Sequence, residues 1–279
     1  VALDAKEPGD ETTPKDLIAT AMWKRSADAM ADMARGARRQ PEAERYGQLA
    51  KDITAAFQAA FVKPDGHIGN GSQCGYILAL RFGLVPETLR AAATARLVAD
   101  IRRRGGLLST GFLGTPFSLD ALADQGEHKL VYDLLLRTAF PSWGYMIAKG
   151  ATTIWERWNA DMADASMNSY NHYALGAVTG FVFRRIAGID PLDAGFLKWR
   201  FDPVLDPRLP RGGASYDSVV GRIVTDWTYT PERFEARIVV PANSRAEVCL
   251  PARSIDAVRE GGRAVSAREV VVDGAGRNR

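Results

Sequence analysis

The sequence predicts a mainly α protein with a β domain at its C-terminal end. Up to about residue 187, apolar residues recur at helical spacing in segments separated by glycine-containing turns. Beyond Ile189-Asp-Pro191, apolar and polar residues alternate as they do in strands. Helices first and strands later are typical of two segregated domains. We therefore predict a helical domain over residues 1–195 and a β domain over residues 196–279.

The helical segments follow one another with short connections, as antiparallel helices do. The first is expected to begin at Pro14, with Thr13 as a candidate N-cap, and to stop at Gly36. The remaining helices are predicted near residues 41–61, 73–82, 87–104, 116–124 and 127–138, after Thr153, and over about 170–187.

In the C-terminal part, strands are predicted over residues 221–229 and 233–240, on either side of a turn at Pro231-Glu232. A further strand is expected over residues 246–250. Gly261-Gly262 marks a hairpin before a strand near residues 268–272.

Composition excludes several classes of function. The net charge of +3 over 279 residues gives no basis for binding nucleic acid. No apolar run approaches the ~18 residues of a membrane span. The 2 cysteines and 3 histidines show no metal-ligand spacing, so neither a metal nor another cofactor is expected. The sequence begins at Val1 and shows no signal peptide, so the compartment stays open, with the cytoplasm slightly favoured. The absence of an initial methionine is consistent with a piece of a longer polypeptide.

The most informative stretch surrounds Glu156. It places this carboxylate among Trp143, Tyr145, Trp155 and Trp158 in a region broken by glycines. Flat aromatic faces suit the C–H faces of a sugar ring, and a carboxylate suits its hydroxyls or its acid–base chemistry. The stretch therefore predicts a carbohydrate site, with the three tryptophans as candidate sugar-binding residues.

Each of these residues also has a structural interpretation. Thr153-x-x-Glu156 fits a capping box, in which Glu156 would hold a helix start. Trp155 and Trp158 lie three residues apart and could pack as core neighbours on a helix. His172, in the polar and aromatic stretch over residues 166–173, could be an ordinary structural histidine.

Seven stretches occur in a recognisable order through nearly the whole chain: Thr13-Pro-Lys-Asp-Leu-Ile-Ala-Thr20, Ala79-Leu-Arg-Phe-Gly-Leu-Val-Pro-Glu87, Thr110-Gly-Phe-Leu-Gly-Thr-Pro116, Phe140-Pro-Ser-Trp-Gly-Tyr145, Gly150-Ala-Thr-Thr-Ile-Trp-Glu-Arg-Trp158, Met167-Asn-Ser-Tyr-Asn-His-Tyr173 and Ala214-Ser-Tyr-Asp-Ser218. In these stretches the chain resembles the C-terminal part of bacterial α-L-rhamnosidases of glycoside hydrolase family 78.

The resemblance implies part of an (α/α)6 barrel followed by a β-sandwich. It implies hydrolysis of terminal α-L-rhamnosyl bonds with inversion, on a rhamnosylated glycoside or polysaccharide. By the same resemblance, Glu156 is the general base and His172 contacts a sugar hydroxyl. Its neighbour Asn171 is a further candidate substrate-binding residue.

One departure limits this interpretation. The family's general acid lies in an Arg-Asp-Glu motif upstream of the matching region, and that tripeptide is absent from this sequence. We therefore expect the general acid on a missing N-terminal part of the same polypeptide. The alternative is a non-catalytic carbohydrate-binding or interaction protein, in which the same aromatic residues hold sugar without chemistry.

Overall fold

The structure is a computed structural model that describes residues 13–162 and 169–265. The chain divides into two compact units, Val1–Ala177 and Val178–Arg279. The predicted domain boundary at residues 195 and 196 lies inside the second unit and stays a prediction.

Helices build the described part of the first unit, as predicted. They are α1 (Lys15–Gly36), α2 (Gln40–Phe61), α3 (Gln73–Arg81), α4 (Glu87–Arg103), α5 (Thr115–Asp124), α6 (His128–Leu135), α7 (Trp143–Ala148) and α8 (Tyr173–Gly176). Their apolar stripes meet in a core in which Leu17, Phe57, Ile77 and Leu97 are fully buried. This packing, rather than helix propensity alone, stabilises helices as short as α3.

Three local predictions differ from the structure. Pro14 occupies the N-cap position of α1, and Thr13 instead donates its hydroxyl to Ser72 Oγ at 2.8 Å. The helix expected after Thr153 is absent, because residues 151–162 form bends and turns without an α-helix. The apolar helix expected over residues 170–187 is divided into short helical pieces that begin at Tyr173.

The second unit starts with α9 (Val178–Phe181) and a π-helical turn (Val182–Ile186) and then becomes a β structure. Its strands are β1 (Asp190–Pro191), β2 (Lys198–Phe201), β3 (Arg211–Ser218), β4 (Gly221–Tyr229), β5 (Phe234–Val239), β6 (Arg245–Val248), β7 (Arg259–Glu260) and β8 (Arg263–Ala264). Strands β3, β4 and β5 form an antiparallel sheet, β1, β2 and β6 form a second sheet, and β7 pairs with β8 around the predicted Gly261-Gly262 turn. The strand predicted near residues 268–272 lies outside the described residues.

The core of the second unit is organised by Trp227. Its side chain is 1% exposed, and its indole N–H donates to the Ile186 carbonyl at 2.9 Å. Gly212 on β3 is required beside it, because an added Cβ would come within 2.5 Å of the indole ring. The burial pattern therefore assigns Trp227 to packing.

Within the described ranges, no helix has the length and apolar content that crossing a membrane requires. The same residues contain no group of three or more histidine, cysteine or acidic side chains placed to hold a metal ion.

Candidate functional site

The segment that carries Glu156 is held by backbone pairing with residues 169–172, all within the first unit. Glu156 N donates to Ser169 O at 2.9 Å, and His172 N donates to Ile154 O at 2.9 Å. The Thr153 hydroxyl donates to the Tyr170 carbonyl. The two predicted motifs, separate in sequence, therefore lie side by side. Ser166, Met167 and Asn168 of the second motif lie outside the described residues.

The Glu156 carboxylate is half-buried and oriented by one amide. Ser169 N donates to Glu156 Oε2 at 2.9 Å, whereas Oε1 accepts no hydrogen bond from the described residues. One oxygen therefore fixes the direction of the carboxylate, and the other remains able to take a proton.

The capping-box interpretation of Glu156 is wrong. No helix begins at Thr153, and both the hydroxyl of Thr153 and the carboxylate of Glu156 bond to the segment over residues 169–172. The carboxylate is thus fixed by tertiary contacts rather than by a local helix start.

Trp143 and Trp158 are buried, at 6% and 4% exposure. Their rings pack edge to face at 5.1 Å between centroids. Trp143 donates its indole N–H to Leu175 O at 2.9 Å, and Trp158 donates to Thr110 O at 3.0 Å. These contacts give both residues a packing role, and little ring surface remains for a ligand. Their assignment as sugar-binding residues stays a prediction.

Trp155 is also 6% exposed and packs edge to face with Tyr170 at 6.1 Å. Tyr170 is itself 47% exposed. Trp155 thus supports a ring that reaches solvent beside Glu156.

His172 is the N-cap of α8. Ala174 N donates to its Nδ1 at 3.2 Å, so a neutral ring carries its proton on Nε2. The Nε2–H group is then a hydrogen-bond donor of the kind that a contact to a sugar hydroxyl requires. Its neighbour Asn171 is exposed, with its backbone N–H donating to Ser169 Oγ at 3.3 Å.

Two exposed aromatic rings beside His172 were missed as site residues in the sequence analysis. Tyr173 is 80% exposed and stacks on His172 at 4.9 Å between centroids. Phe112 is 43% exposed and lies 6.4 Å from the same imidazole. Both occur in stretches that carried the family resemblance, but their exposure could not be read from the sequence.

The loop that carries Phe112 is fixed by a buried amide. Gln73 Nε2 donates to Asp100 Oδ2 at 2.9 Å and to Leu107 O at 3.1 Å, and Ser109 N donates to Gln73 Oε1 at 2.9 Å. Burial alone would raise the pKa of Asp100, but the hydrogen bonds from Gln73 and Arg104 outweigh it, so this pKa lies below its usual value.

A second polar cluster lies next to the Glu156 segment. Tyr145 Oη donates to Asp161 Oδ2 at 2.8 Å, and Lys149 Nζ lies 3.5 Å from the same oxygen. Burial and the Asp161 carboxylate raise the pKa of Tyr145. Interaction with Tyr145, and then with Asp161, raises the pKa of Lys149. Asp120, another carboxylate of the first unit, is buried in α5 at 5% exposure.

The first unit is thus built of helices and presents an oriented carboxylate beside exposed aromatic rings. Residues 1–186 match the family model described as the bacterial alpha-L-rhamnosidase 6 hairpin glycosidase domain. Residues 188–264 match the bacterial alpha-L-rhamnosidase C-terminal domain. The chain belongs to the bacterial α-L-rhamnosidase family, and the predicted helical hairpins followed by a β domain are confirmed.

Curated relatives agree with this assignment. The chain is 42% identical to an α-L-rhamnosidase of Streptomyces avermitilis over 254 residues, which are 89% of this chain and 24% of that protein. It is 35% identical to an α-L-rhamnosidase of Formosa agariphila over 254 residues, which are 88% of this chain and 27% of that protein. The chain thus spans about a quarter of the length of these relatives.

Solved structures show the same fold. The Streptomyces avermitilis α-L-rhamnosidase, solved in complex with L-rhamnose, superposes with a TM-score of 0.83 and 40% identity, covering 92% of this chain and 26% of that one. The native enzyme from Aspergillus terreus gives a TM-score of 0.84 and 31% identity, covering 90% of this chain and 30% of that one.

Proposed function

We propose that this chain is the general-base part of an α-L-rhamnosidase that hydrolyses terminal α-L-rhamnosyl bonds with inversion. Family membership supports the reaction class. The assignment of Glu156 as the base rests on the orientation of its carboxylate. Ser169 N donates a hydrogen bond to Oε2, and in the proposal Oε1 accepts the proton.

In the proposed mechanism, Glu156 removes a proton from a water molecule as the water oxygen attacks the anomeric carbon. The glycosidic oxygen leaves with a proton from a general acid. Inverting glycosidases hold the two carboxyl groups ~6.5–9.5 Å apart, which leaves room for that water. Because this chain contains no Arg-Asp-Glu motif, we assign the acid to a part of the same polypeptide outside this chain.

The aromatic rings divide into two groups in this proposal. The buried pair Trp143 and Trp158 shapes the floor and excludes water. The rings that reach solvent, Tyr170 and Tyr173, together with His172, face the sugar. The substrate is a rhamnosylated glycoside or polysaccharide, and no cofactor takes part.

The decisive variant is Glu156→Gln in the longer polypeptide, because the amide keeps the shape of the side chain and cannot accept the proton. We expect kcat to fall about 10²–10⁴-fold with L-rhamnose affinity and melting temperature unchanged. Glu127→Gln is the matched control, since Glu127 is also a half-buried glutamate of the first unit. Unchanged turnover in Glu156→Gln would show that Glu156 is not the base. Absence of turnover in the wild-type polypeptide would leave the non-catalytic carbohydrate-binding alternative.

The stereochemistry is tested separately by proton NMR of the first product formed. Inversion of an α-L-rhamnoside releases β-L-rhamnose before the anomers equilibrate. Release of the α anomer first would contradict the role of Glu156 as a base acting on water.

A further inference from the structure

Three polar side chains connect the two ends of the segment that carries Glu156. The Tyr145 hydroxyl donates to Asp161 Oδ2 at 2.8 Å, and Lys149 Nζ lies 3.5 Å from that oxygen. The ammonium group also lies over the Tyr145 ring, 5.3 Å from its centroid. Tyr145 and Lys149 precede Glu156 in the chain, and Asp161 follows it.

The Tyr145 end of this cluster is rigid. Ser142 caps α7 by accepting a hydrogen bond from Tyr145 N at 2.9 Å, and Trp143 is bonded to Leu175 O. Gly144 lets the helix approach the preceding chain, because an added Cβ would stand 2.3 Å from Arg137 O. The hydroxyl of Tyr145 is therefore a fixed point.

The Asp161 end lies on the chain that follows Glu156. Trp158 donates its indole N–H to Thr110 O, and beyond it Tyr170 Oη donates to Ala160 O at 3.5 Å. The Tyr145 hydroxyl adds a hydrogen bond to a charged acceptor, Asp161, so its loss would remove one fixed point from this part of the chain.

We infer that Tyr145, Lys149 and Asp161 form a clamp that fixes the Glu156 segment, so that Tyr145 and Lys149 are positioning residues for the base. The inference rests on the proposed function of Glu156. Displacement of a catalytic group by about 1 Å can cost on the order of 100-fold in rate, which is why a contact outside the site acts on turnover.

The same cluster allows a competing role for Asp161 as a group that acts on the leaving oxygen directly. The two roles differ in what the variants do. A clamp loses its effect equally when either partner is removed, whereas a proton donor is lost only with Asp161.

The first test uses hydrogen exchange of the 279-residue chain, which needs no activity. We expect faster exchange of the Glu156 and Trp158 amides in Tyr145→Phe and in Asp161→Asn. Asp133→Asn is the control, because it removes another aspartate–lysine pair of the first unit, with Lys129 at 2.9 Å, and exchange at Glu156 should stay as in the wild type. Unchanged exchange in Tyr145→Phe would overturn the clamp.

The second test measures kinetics in the longer polypeptide. We expect roughly a tenfold lower kcat in each single variant, because Tyr145→Phe removes the hydrogen bond to the charged group and Asp161→Asn removes the charge that strengthens it. KM should be unchanged. The ratio of variant kcat to wild-type kcat should be the same for aryl and natural rhamnosides. The double variant should lose no more kcat than either single variant. A loss of kcat that occurs only in Asp161→Asn, and that is larger for the natural glycoside, would overturn the clamp and assign Asp161 as a proton donor.

If Glu156→Gln retains full turnover, the proposed function fails, whereas the hydrogen-exchange result still decides the clamp.

Discussion

Glu156 and Ser169 hold each other by two hydrogen bonds. Glu156 N donates to Ser169 O at 2.9 Å, and Ser169 N donates to Glu156 Oε2 at 2.9 Å. The same residue thus fixes both the backbone and the carboxylate of the proposed base.

The Ser169 amide is therefore expected to matter more than the Ser169 side chain. Ser169→Pro removes the N–H donor and should lower kcat of the longer polypeptide about 10–100-fold, the cost of a hydrogen bond to a charged group. Ser169→Ala keeps the donor and should stay within about twofold of wild type. Steady-state kinetics of the two variants make the comparison, and equal losses would show that the hydroxyl, not the amide, is important.

The amide pairing also explains where sequence reasoning failed. Helices α3 and α4 were predicted almost to the residue, because their apolar spacing and flanking turns are local signals. The Thr153-x-x-Glu156 spacing is a local signal too, and it predicted a helix that is absent. The backbone of this segment forms hydrogen bonds with residues 169–172 instead. A pattern within a few residues of Glu156 cannot predict a partner more than ten residues away.

The aromatic residues show a related difference between residue type and packing. Trp143, Trp155 and Trp158 were selected as a set, yet each is at most 6% exposed. The indole N–H groups of Trp143 and Trp158 donate to backbone carbonyls. Residue type shows that a ring can stack on sugar, but only the packing shows whether its face is open.

The proposal gives His172 two separable roles: Nδ1 caps α8, and Nε2 is the proposed contact to sugar. His172→Asn keeps a cap acceptor and should leave the melting temperature unchanged while weakening L-rhamnose binding roughly tenfold, as loss of a hydrogen bond does. His172→Ala should lower both. Calorimetric binding and thermal melts separate the two effects, and full affinity in His172→Asn would remove His172 from the sugar contacts.

Trp158 is expected to contribute to stability rather than to stacking. Trp158→Phe leaves the Thr110 carbonyl without its indole donor and should cost about 1–3 kcal/mol of unfolding free energy. Trp23→Phe is the control, because Trp23 is 57% exposed and its replacement should change stability by less than about 0.5 kcal/mol. Urea unfolding of the 279-residue chain measures both, and equal midpoints would contradict the packing role.

The clamp should open at alkaline pH. Because the pKa of Tyr145 is raised above its usual 10.0 in the fold, the neutral phenol stabilises the folded state at pH values below the unfolded pKa. That contribution to stability is lost as the pH rises through the pKa of Tyr145 in the folded state. The pKa of Lys149 is also raised, so its contribution to stability is likewise lost at alkaline pH. Burial also raises the pKa of Tyr76, so a phenolate absorbance titration of Tyr145→Phe should show one fewer tyrosine that ionises above the usual range than the wild type, not none. If Tyr145→Phe removes an ordinary titration instead, the hydroxyl is not held by Asp161.

The 279-residue chain alone should release no significant rhamnose from a natural glycoside. It carries the proposed base but not the Arg-Asp-Glu motif of the acid, so the leaving oxygen would depart as an unprotonated alkoxide. A missing acid typically costs about 10²–10⁴ in rate. An aryl α-L-rhamnoside needs less protonation, so weak cleavage of that substrate alone agrees with the proposal. Assays of both substrates with the same purified chain make the test, with Glu156→Gln as the blank. Robust cleavage of the natural glycoside would place the acid within this chain, and Asp161 and Asp120 would then be the first carboxylates to replace.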